Sequence, residues 1–187
     1  MRHLGRGIPL VVVAVLGLVA GLALGTARAP VGAAAAAPAA PAEQGGTSLN
    51  YDQAARLVQA AMEYAQAHNY RMSFVVLDAG GHLLAAGRMD GAHFLTPEIA
   101  RGKAYAPAAT GRSGSAMTES FQANPALWGN AAALGYGAPL LPARGALPLF
   151  RNGVLLGAMG ASGGTAEQDE EAVRAALQAL GFQETPS

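Results

Sequence analysis

Two very short connections between apolar segments constrain the fold of this sequence more than any other feature. Residues 73–77 and 82–89 are apolar runs separated only by Asp78-Ala79-Gly80-Gly81. A second pair of apolar runs, 146–150 and 154–159, flanks Arg151-Asn152-Gly153, and Asn-Gly is the strongest short hairpin signal. Strands joined by so few residues must run antiparallel, so a Rossmann-type parallel sheet fits the sequence poorly.

Helical patterns surround the two predicted hairpins. From Tyr51 onward, apolar residues recur at spacings of three and four, with Asn50 as the predicted N-cap. Thr96 and Pro97 predict the N-cap and first residue of a second helix, which runs towards residue 108. Residues 111–137 are rich in Gly, Ala, Ser and Asn and predict a loop with short helical pieces, such as one over 117–121.

The last helix has the clearest start signal. Thr165 and Gln168 have the spacing of a capping box, in which each residue's side chain bonds the other's backbone N–H. The order of elements is therefore helix, hairpin, helix, loop, hairpin, helix. This order predicts an α+β domain, in which helices pack against an antiparallel sheet.

The N-terminus has the pattern of an export signal. Arg2 and Arg6 precede an uncharged run over residues 8–25, and Ala27-Arg28-Ala29 resembles a cleavage site. We expect a signal peptide over residues 1–29, or an uncleaved membrane anchor, since the run is near the ~20 residues that span a bilayer. The Ala/Pro/Gly-rich residues 30–47 predict a linker. The folded domain is expected over 48–182, with a disordered tail at 183–187.

Charge and cysteine content exclude several functions. Three of the 12 Lys and Arg residues lie in the N-terminal segment, so the rest of the chain is acidic and nucleic-acid binding is not expected. The sequence has no cysteine, which excludes disulfides, Fe–S clusters, cysteine-bound zinc and covalent attachment of haem. The export signal predicts a protein located in the periplasm, outside the cell or tethered to its surface.

Four segments resemble one known family. They are VVLDAGGHLLAAGRMDGA (75–92), IARGKAYA (99–106), LPLFRNGVLLGAMGASGG (147–164) and QDEEAV (168–173). In this order they are similar to the GlcG/HbpS family, whose domain also forms the C-terminal part of PduO-type corrinoid adenosyltransferases. The resemblance implies a profilin-like fold, a central antiparallel sheet flanked by helices, homo-oligomers and haem binding. It also implies a role in haem capture, buffering or sensing. In sensing, the partner would be a membrane-bound sensor protein, which the sequence does not identify.

Three histidines lie beyond the N-terminal segment, and none has the spacing of a zinc site. One imidazole is enough as an axial ligand of non-covalent haem b. His93 is the leading candidate because Phe94 and Leu95 adjoin it. His68, near a helix C-terminus, is expected to interact with the helix dipole or to bind haem. His82 is expected to face solvent.

Other side chains extend the candidate site. Met89 is either a thioether ligand or a core residue. Arg88, Asp90 and Lys103 are interpreted either as a structural ion-pair cluster or as a site for haem propionates or a small carboxylate. The predicted site residues are thus His93, Arg88, Lys103, His68 and Met89, with His93 on the metal.

The sequence leaves two alternatives to a haem-binding protein. One is an enzyme or accessory protein acting on a small carboxylate, a corrinoid-linked metabolite or, slowly, on haem itself. The other is a structural protein whose oligomer is the functional object. The sequence has no G-x-S-x-G triad signature and no convincing carboxylate pair, which favours a binding protein over an enzyme.

Overall fold

The hairpins and helices of the sequence are present in a computed structural model that describes residues 47–133 and 140–186. The predicted signal peptide and all but the last residue of the predicted linker lie outside these ranges. The elements are α1 (Tyr51–Ala67), β1 (Ser73–Asp78), β2 (Leu83–Arg88), α2 (Thr96–Thr110), α3 (Gly114–Ala123), α4 (Pro125–Ala133), β3 (Ala146–Arg151), β4 (Val154–Ser162) and α5 (Ala166–Ala179). None of the helices in the described ranges is long and apolar enough to cross a membrane.

The four strands form one sheet in the order β2-β1-β4-β3, and every neighbouring pair is antiparallel. Both predicted hairpins and the α+β class are thereby confirmed. The edge strand β2 is irregular: Leu77 pairs with Leu83 and Val76 with Ala85, so Leu84 is an extra residue without a partner on β1. Such a bulge bends the strand and interrupts its ladder.

Helices cover both faces of the sheet. On one face, α1 and α5 bury the larger apolar side chains, including Phe74, Val76 and Met159. On the other face α2 packs mainly on β4 and β1, with alanines at 100, 104 and 108 against Val75 and Leu77. The small side chains of α2 allow the helix to lie close to the sheet.

The helix starts agree with the sequence at two of three places. Asn50 with Gln53, and Thr165 with Gln168, form the two capping boxes. Thr96 is not an N-cap, because α2 begins at this residue. Its buried hydroxyl donates to the His93 carbonyl at 2.7 Å and lies 2.7 Å from Ser73 Oγ, so it ties the start of α2 to β1.

Two segments are more ordered than predicted. Residues 111–137 were expected to be a loop with short helical pieces. The piece predicted over 117–121 lies within α3 (114–123), which is longer than expected, and 125–133 form a second helix, α4, whereas 134–139 lie outside the described residues. The disordered tail was predicted to begin at Gln183, which instead pairs with Phe150 of β3. Phe182 is buried, and Cζ of the Arg151 guanidinium lies 4.2 Å from the centroid of the Phe182 ring. This contact holds the C-terminal segment against β3.

A buried ion pair links the two helical layers across the β3 edge of the sheet. Lys103 Nζ of α2 lies 2.7 Å from Asp169 Oδ2 of α5, and their side chains are 10% and 2% exposed. The second Asp169 oxygen accepts a hydrogen bond from the Gly164 N–H at 3.0 Å. Gly145 lies against both side chains, and a Cβ there would be 2.9 Å from Lys103 Nζ.

Lys103→Met should destabilise the fold by about 3–5 kcal/mol, because it leaves the Asp169 carboxylate buried without its counter-charge. Urea denaturation measures this free energy of unfolding. Glu167→Gln, which breaks an exposed pair with Arg144, is the control and should cost less than about 1 kcal/mol. Equal effects of the two substitutions would contradict the role given to Lys103.

A second charged cluster holds α3 and the C-terminal segment to α5. The Glu170 carboxylate accepts hydrogen bonds from Ser115 Oγ at 2.6 Å and Arg174 Nη2 at 3.0 Å, and Arg144 Nε lies 3.4 Å away. Burial alone would raise the pKa of Glu170, but these hydrogen bonds and the two arginine charges outweigh it, so its pKa is lowered. Arg174 also donates to Glu184 at 2.6 Å.

Because the pKa of Glu170 is lower in the folded protein than in the unfolded chain, its ionisation stabilises the fold above the ordinary glutamate pKa of about 4.3. This stability is lost as the pH falls through the folded value. Glu170→Gln should therefore be less stable than wild type near neutrality and lose less stability between about pH 4.3 and lower values. Urea midpoints measured across this pH range test the prediction. The pH dependence of Ser115→Ala should lie between those of wild type and Glu170→Gln. The same dependence of stability on pH in wild type and Glu170→Gln would contradict it.

Candidate functional site

The loop between β2 and α2 presents the predicted His93 to solvent beside two apolar side chains. The His93 ring centroid lies 4.5 Å from that of Phe94, which is 75% exposed, and Leu95 is 45% exposed. Arg88, the last residue of β2, donates from Nη1 to the Ala92 carbonyl at 2.8 Å and so holds the loop. Arg88 therefore lies at the end of the strand that leads into the loop carrying His93.

Lys103 does not belong to this group. Its partner is Asp169 at the β3 edge, whereas Arg88 lies on β2 at the opposite edge of the sheet. The predicted cluster of Arg88, Asp90 and Lys103 is therefore not formed, and the Lys103 charge is neutralised within the fold. Sequence reasoning missed Asp169 as the partner because 66 residues separate the two.

Met89 is 9% exposed and packs with the core beneath α1, so it is a core residue. It also lines a cleft of about 330 Å³ between α1 and the residues that follow β2. Glu63, Arg71 and Asp90 line the same cleft. With two carboxylates against one guanidinium, the cleft is poorly suited to an anion, and its volume is at the lower end of the ~300–1,000 Å³ of ligand pockets.

His68 lies at the C-terminus of α1, stacked on two tyrosines. Its ring centroid is 4.1 Å from Tyr64 and 5.6 Å from Tyr70, and Nδ1 lies 2.8 Å from the Tyr64 carbonyl oxygen. A carbonyl only accepts, so Nδ1 carries the proton and Nε2 has a free lone pair, as in metal-bound histidines. Burial raises the pKa of Tyr64, and the negative charge of Glu171 adds to the increase. These surroundings disfavour an anionic ligand.

His93 has the opposite ring geometry. Its Nδ1 accepts a hydrogen bond from the Leu95 N–H at 3.3 Å, which places the proton on Nε2. His82 is exposed, as predicted, and its Nδ1 lies 3.3 Å from Asp78 Oδ2. No three His, Asp or Glu residues within 47–133 and 140–186 are grouped so as to hold a metal ion.

A strip of β2 beside this loop is left exposed next to α2, and the space between them is called the β2–α2 groove below. Ala86 is paired with Val75 and Arg88 with Ser73, so the Ala86 and Arg88 side chains lie on the same face of the sheet as α2. Leu83, which pairs with Leu77, shares that face and is 53% exposed. The helix α2 packs mainly on β4 and β1, so it leaves this strip of β2 uncovered.

The other wall of the groove is formed by α2. Tyr105 lies on the β2 side, because a Cβ at Gly81, in the turn between β1 and β2, would be 2.6 Å from Tyr105 Cε2. Arg101, four residues earlier, lies on the same side of the helix. The β2–α2 groove is thus defined by Leu83, Ala86, Arg88, Arg101 and Tyr105, with the His93 loop at one end. Arg101 was not among the residues predicted from the sequence.

The structure therefore defines a small α+β domain whose surface loop combines an imidazole, two apolar side chains and an arginine. The family model "Haem degrading protein HbpS-like" matches residues 49–178. The chain belongs to this HbpS-like family.

Relatives and solved structures agree with this assignment. Protein GlcG of Escherichia coli strain K12 is 36% identical over 115 residues, which are 61% of this chain and 81% of GlcG. A structure described as a PduOC:Heme complex has a TM-score of 0.66 at 28% identity and covers 74% of this chain and 99% of that one. The HbpS crystal structure has a TM-score of 0.65 at 26% identity and covers 79% and 99% of the two chains.

The likeness to adenosyltransferases is limited to one part of those proteins. The corrinoid adenosyltransferase PduO of Citrobacter freundii is 29% identical over 133 residues, which are 71% of this chain but 39% of PduO. The similarity therefore concerns a domain, and the activity of the whole enzyme does not follow from it.

Proposed function

We propose that this domain binds haem b non-covalently at the β2–α2 loop, with His93 as the axial ligand. The observation that carries the proposal is the exposure of Phe94 and Leu95 beside an imidazole, because large exposed apolar side chains are typical of binding surfaces. Arg88, which has no ion pair with a carboxylate of the described residues, is available for a propionate. The family description and the haem complex of a relative support the same ligand.

The chain's own residues account for each requirement of such a site. Phe94 and Leu95 would make apolar contacts with the porphyrin. Arg88 would pair with a propionate, whose negative charge is otherwise costly to remove from water. His93 must move its proton from Nε2 to Nδ1, which gives up only the long 3.3 Å hydrogen bond from Leu95. Bound haem would supply a redox-active iron. A protein that holds haem without a covalent bond could serve in haem capture, buffering or sensing.

Haem titration tests this site directly. Wild-type protein should give a saturable Soret shift and quenching of Trp128 fluorescence. His93→Ala should shift the Soret position and weaken binding by about tenfold or more, because the iron loses its nitrogen ligand. His82→Ala, at another exposed histidine, is the matched control and should bind like wild type.

His68→Ala shows whether His68 or His93 is the histidine that binds the haem iron. If His68→Ala loses the Soret shift while His93→Ala keeps it, haem binding stands and the site lies at the end of α1. Absence of any saturable shift in wild type would refute haem binding itself. A Soret band that decays with time under reducing conditions would indicate the slow haem degradation named in the family description.

We also propose that the protein is exported and works as a homo-oligomer. The basic, uncharged and small-residue segments of residues 1–29 support export, and a haem-capturing protein has a clear use outside the cytoplasm. The support for an oligomer is the family resemblance, together with exposed apolar side chains outside the proposed haem site, such as Tyr51 and Leu127.

Expression of the full chain in a bacterium, followed by fractionation and mass spectrometry, tests export. The protein should be found outside the cytoplasm and, if the signal is cleaved, should lack about 29 to 37 N-terminal residues. Replacing Arg2 and Arg6 by Glu should retain it in the cytoplasm. Light scattering on the exported protein should give a multiple of the monomer mass; full-length wild type in the soluble cytosol would contradict export.

A further inference from the structure

Arg101 has no hydrogen bond or ion pair within 47–133 and 140–186, whereas Arg144, whose buried Nε also lacks a hydrogen bond, pairs with Glu167 and Glu170. Arg71, Arg112 and Arg151 donate to backbone carbonyls, and two further arginines, 144 and 174, pair with glutamates. Arg101 Nε is buried and has no hydrogen-bond partner within 47–133 and 140–186. A buried donor without an acceptor is costly, and a charged one more so, which points to a ligand that supplies the acceptor.

Helix geometry places Arg101 over the middle of the groove. Successive residues of a helix are separated by about 100°, so Arg101 and Lys103 point to opposite sides of α2. Lys103 points to the β3 edge, where it meets Asp169, and Arg101 therefore points to β2.

The position of Arg101 along the groove follows from the contact between Thr96 and Ser73. Five helical residues rise about 7.5 Å, the length of about two strand residues, which places Arg101 level with Val75 and its partner Ala86. Arg88 lies on the same face of β2, two residues further along the strand. The two arginines therefore lie about two strand residues apart along one face of the sheet edge.

We propose that Arg88 and Arg101 form a carboxylate clamp, and that the β2–α2 groove holds a planar apolar molecule with two carboxylates, a porphyrin. This inference rests on the proposed haem function and deepens it. The guanidinium fork matches a carboxylate in a bidentate manner, and Arg88 is the only charged residue of β2. Leu83 and Ala86 provide an apolar floor, and Tyr105 and Phe94 provide aromatic contacts at its two ends.

Metal-free porphyrin separates the clamp from the axial ligand. Full-length wild-type protein is titrated with protoporphyrin IX and with its dimethyl ester, with Trp128 quenching and porphyrin absorbance as readouts. Wild type should bind the free acid at least about tenfold more tightly than the ester. Arg101→Gln should lose about tenfold or more of the affinity for the free acid and leave that for the ester unchanged.

Arg112→Gln is the matched control, because Arg112 is an exposed arginine just beyond α2 that donates to the Ala116 carbonyl. It should bind both porphyrins like wild type. The thermal midpoint of Arg101→Gln should not fall below that of wild type, since the substitution removes a buried donor without an acceptor. A fall in the midpoint together with equal losses for acid and ester would show that Arg101 is only structural.

The remaining outcomes distinguish the clamp from the proposed function. If wild type binds haem but prefers neither the acid nor the ester, or if Arg101→Gln binds the acid like wild type, the clamp is wrong and haem binding stands. If wild type binds no haem, the proposed function fails, and a retained preference for the free acid would support the clamp alone. Displacement of protoporphyrin IX by succinate at comparable concentrations would overturn the porphyrin as ligand and assign the groove to small dicarboxylates.

Discussion

The close approach of α2 to the sheet determines most of what surrounds the groove. A Cβ at Gly160 of β4 would overlap the Ala100 carbonyl oxygen, so only glycine there lets the helix backbone rest on the strand. Alanines at 100, 104 and 108 complete the contact with little bulk. Because the helix lies so low, Lys103 reaches Asp169 around one side, and Arg101 is half-buried on the other.

Local chemistry made much of the fold predictable from the sequence. The turn residues Asn152 and Gly153 fixed the second hairpin, and the capping boxes at Asn50 and Thr165 fixed two helix starts, because these signals act over two to four residues. Thr96 was mistaken for a cap because its hydroxyl bonds to Ser73, a contact that no local pattern reveals. Only the middle of α3 was predicted, and α4 was missed, because their small residues resemble those of a loop.

The candidate site was predictable only in part, for a related reason. His93 and Arg88 are five residues apart, so the chain itself keeps them in neighbouring parts of the structure. The partner of Lys103 and the position of Arg101 depend instead on how α2 lies between the two sheet edges. The hydrogen bonds that set the tautomers of His68 and His93 are local, but they involve backbone groups whose orientation the sequence does not show.

The extra residue Leu84 limits which partners can pair with the free edge of β2. An edge strand with an even row of free backbone groups invites another strand to pair with it, which leads to sheet extension and aggregation. Here the row is interrupted where Leu84 has no partner, so an incoming strand cannot stay in register over the length of β2. The bulge therefore protects the free edge of the sheet against extension by the strand of another chain.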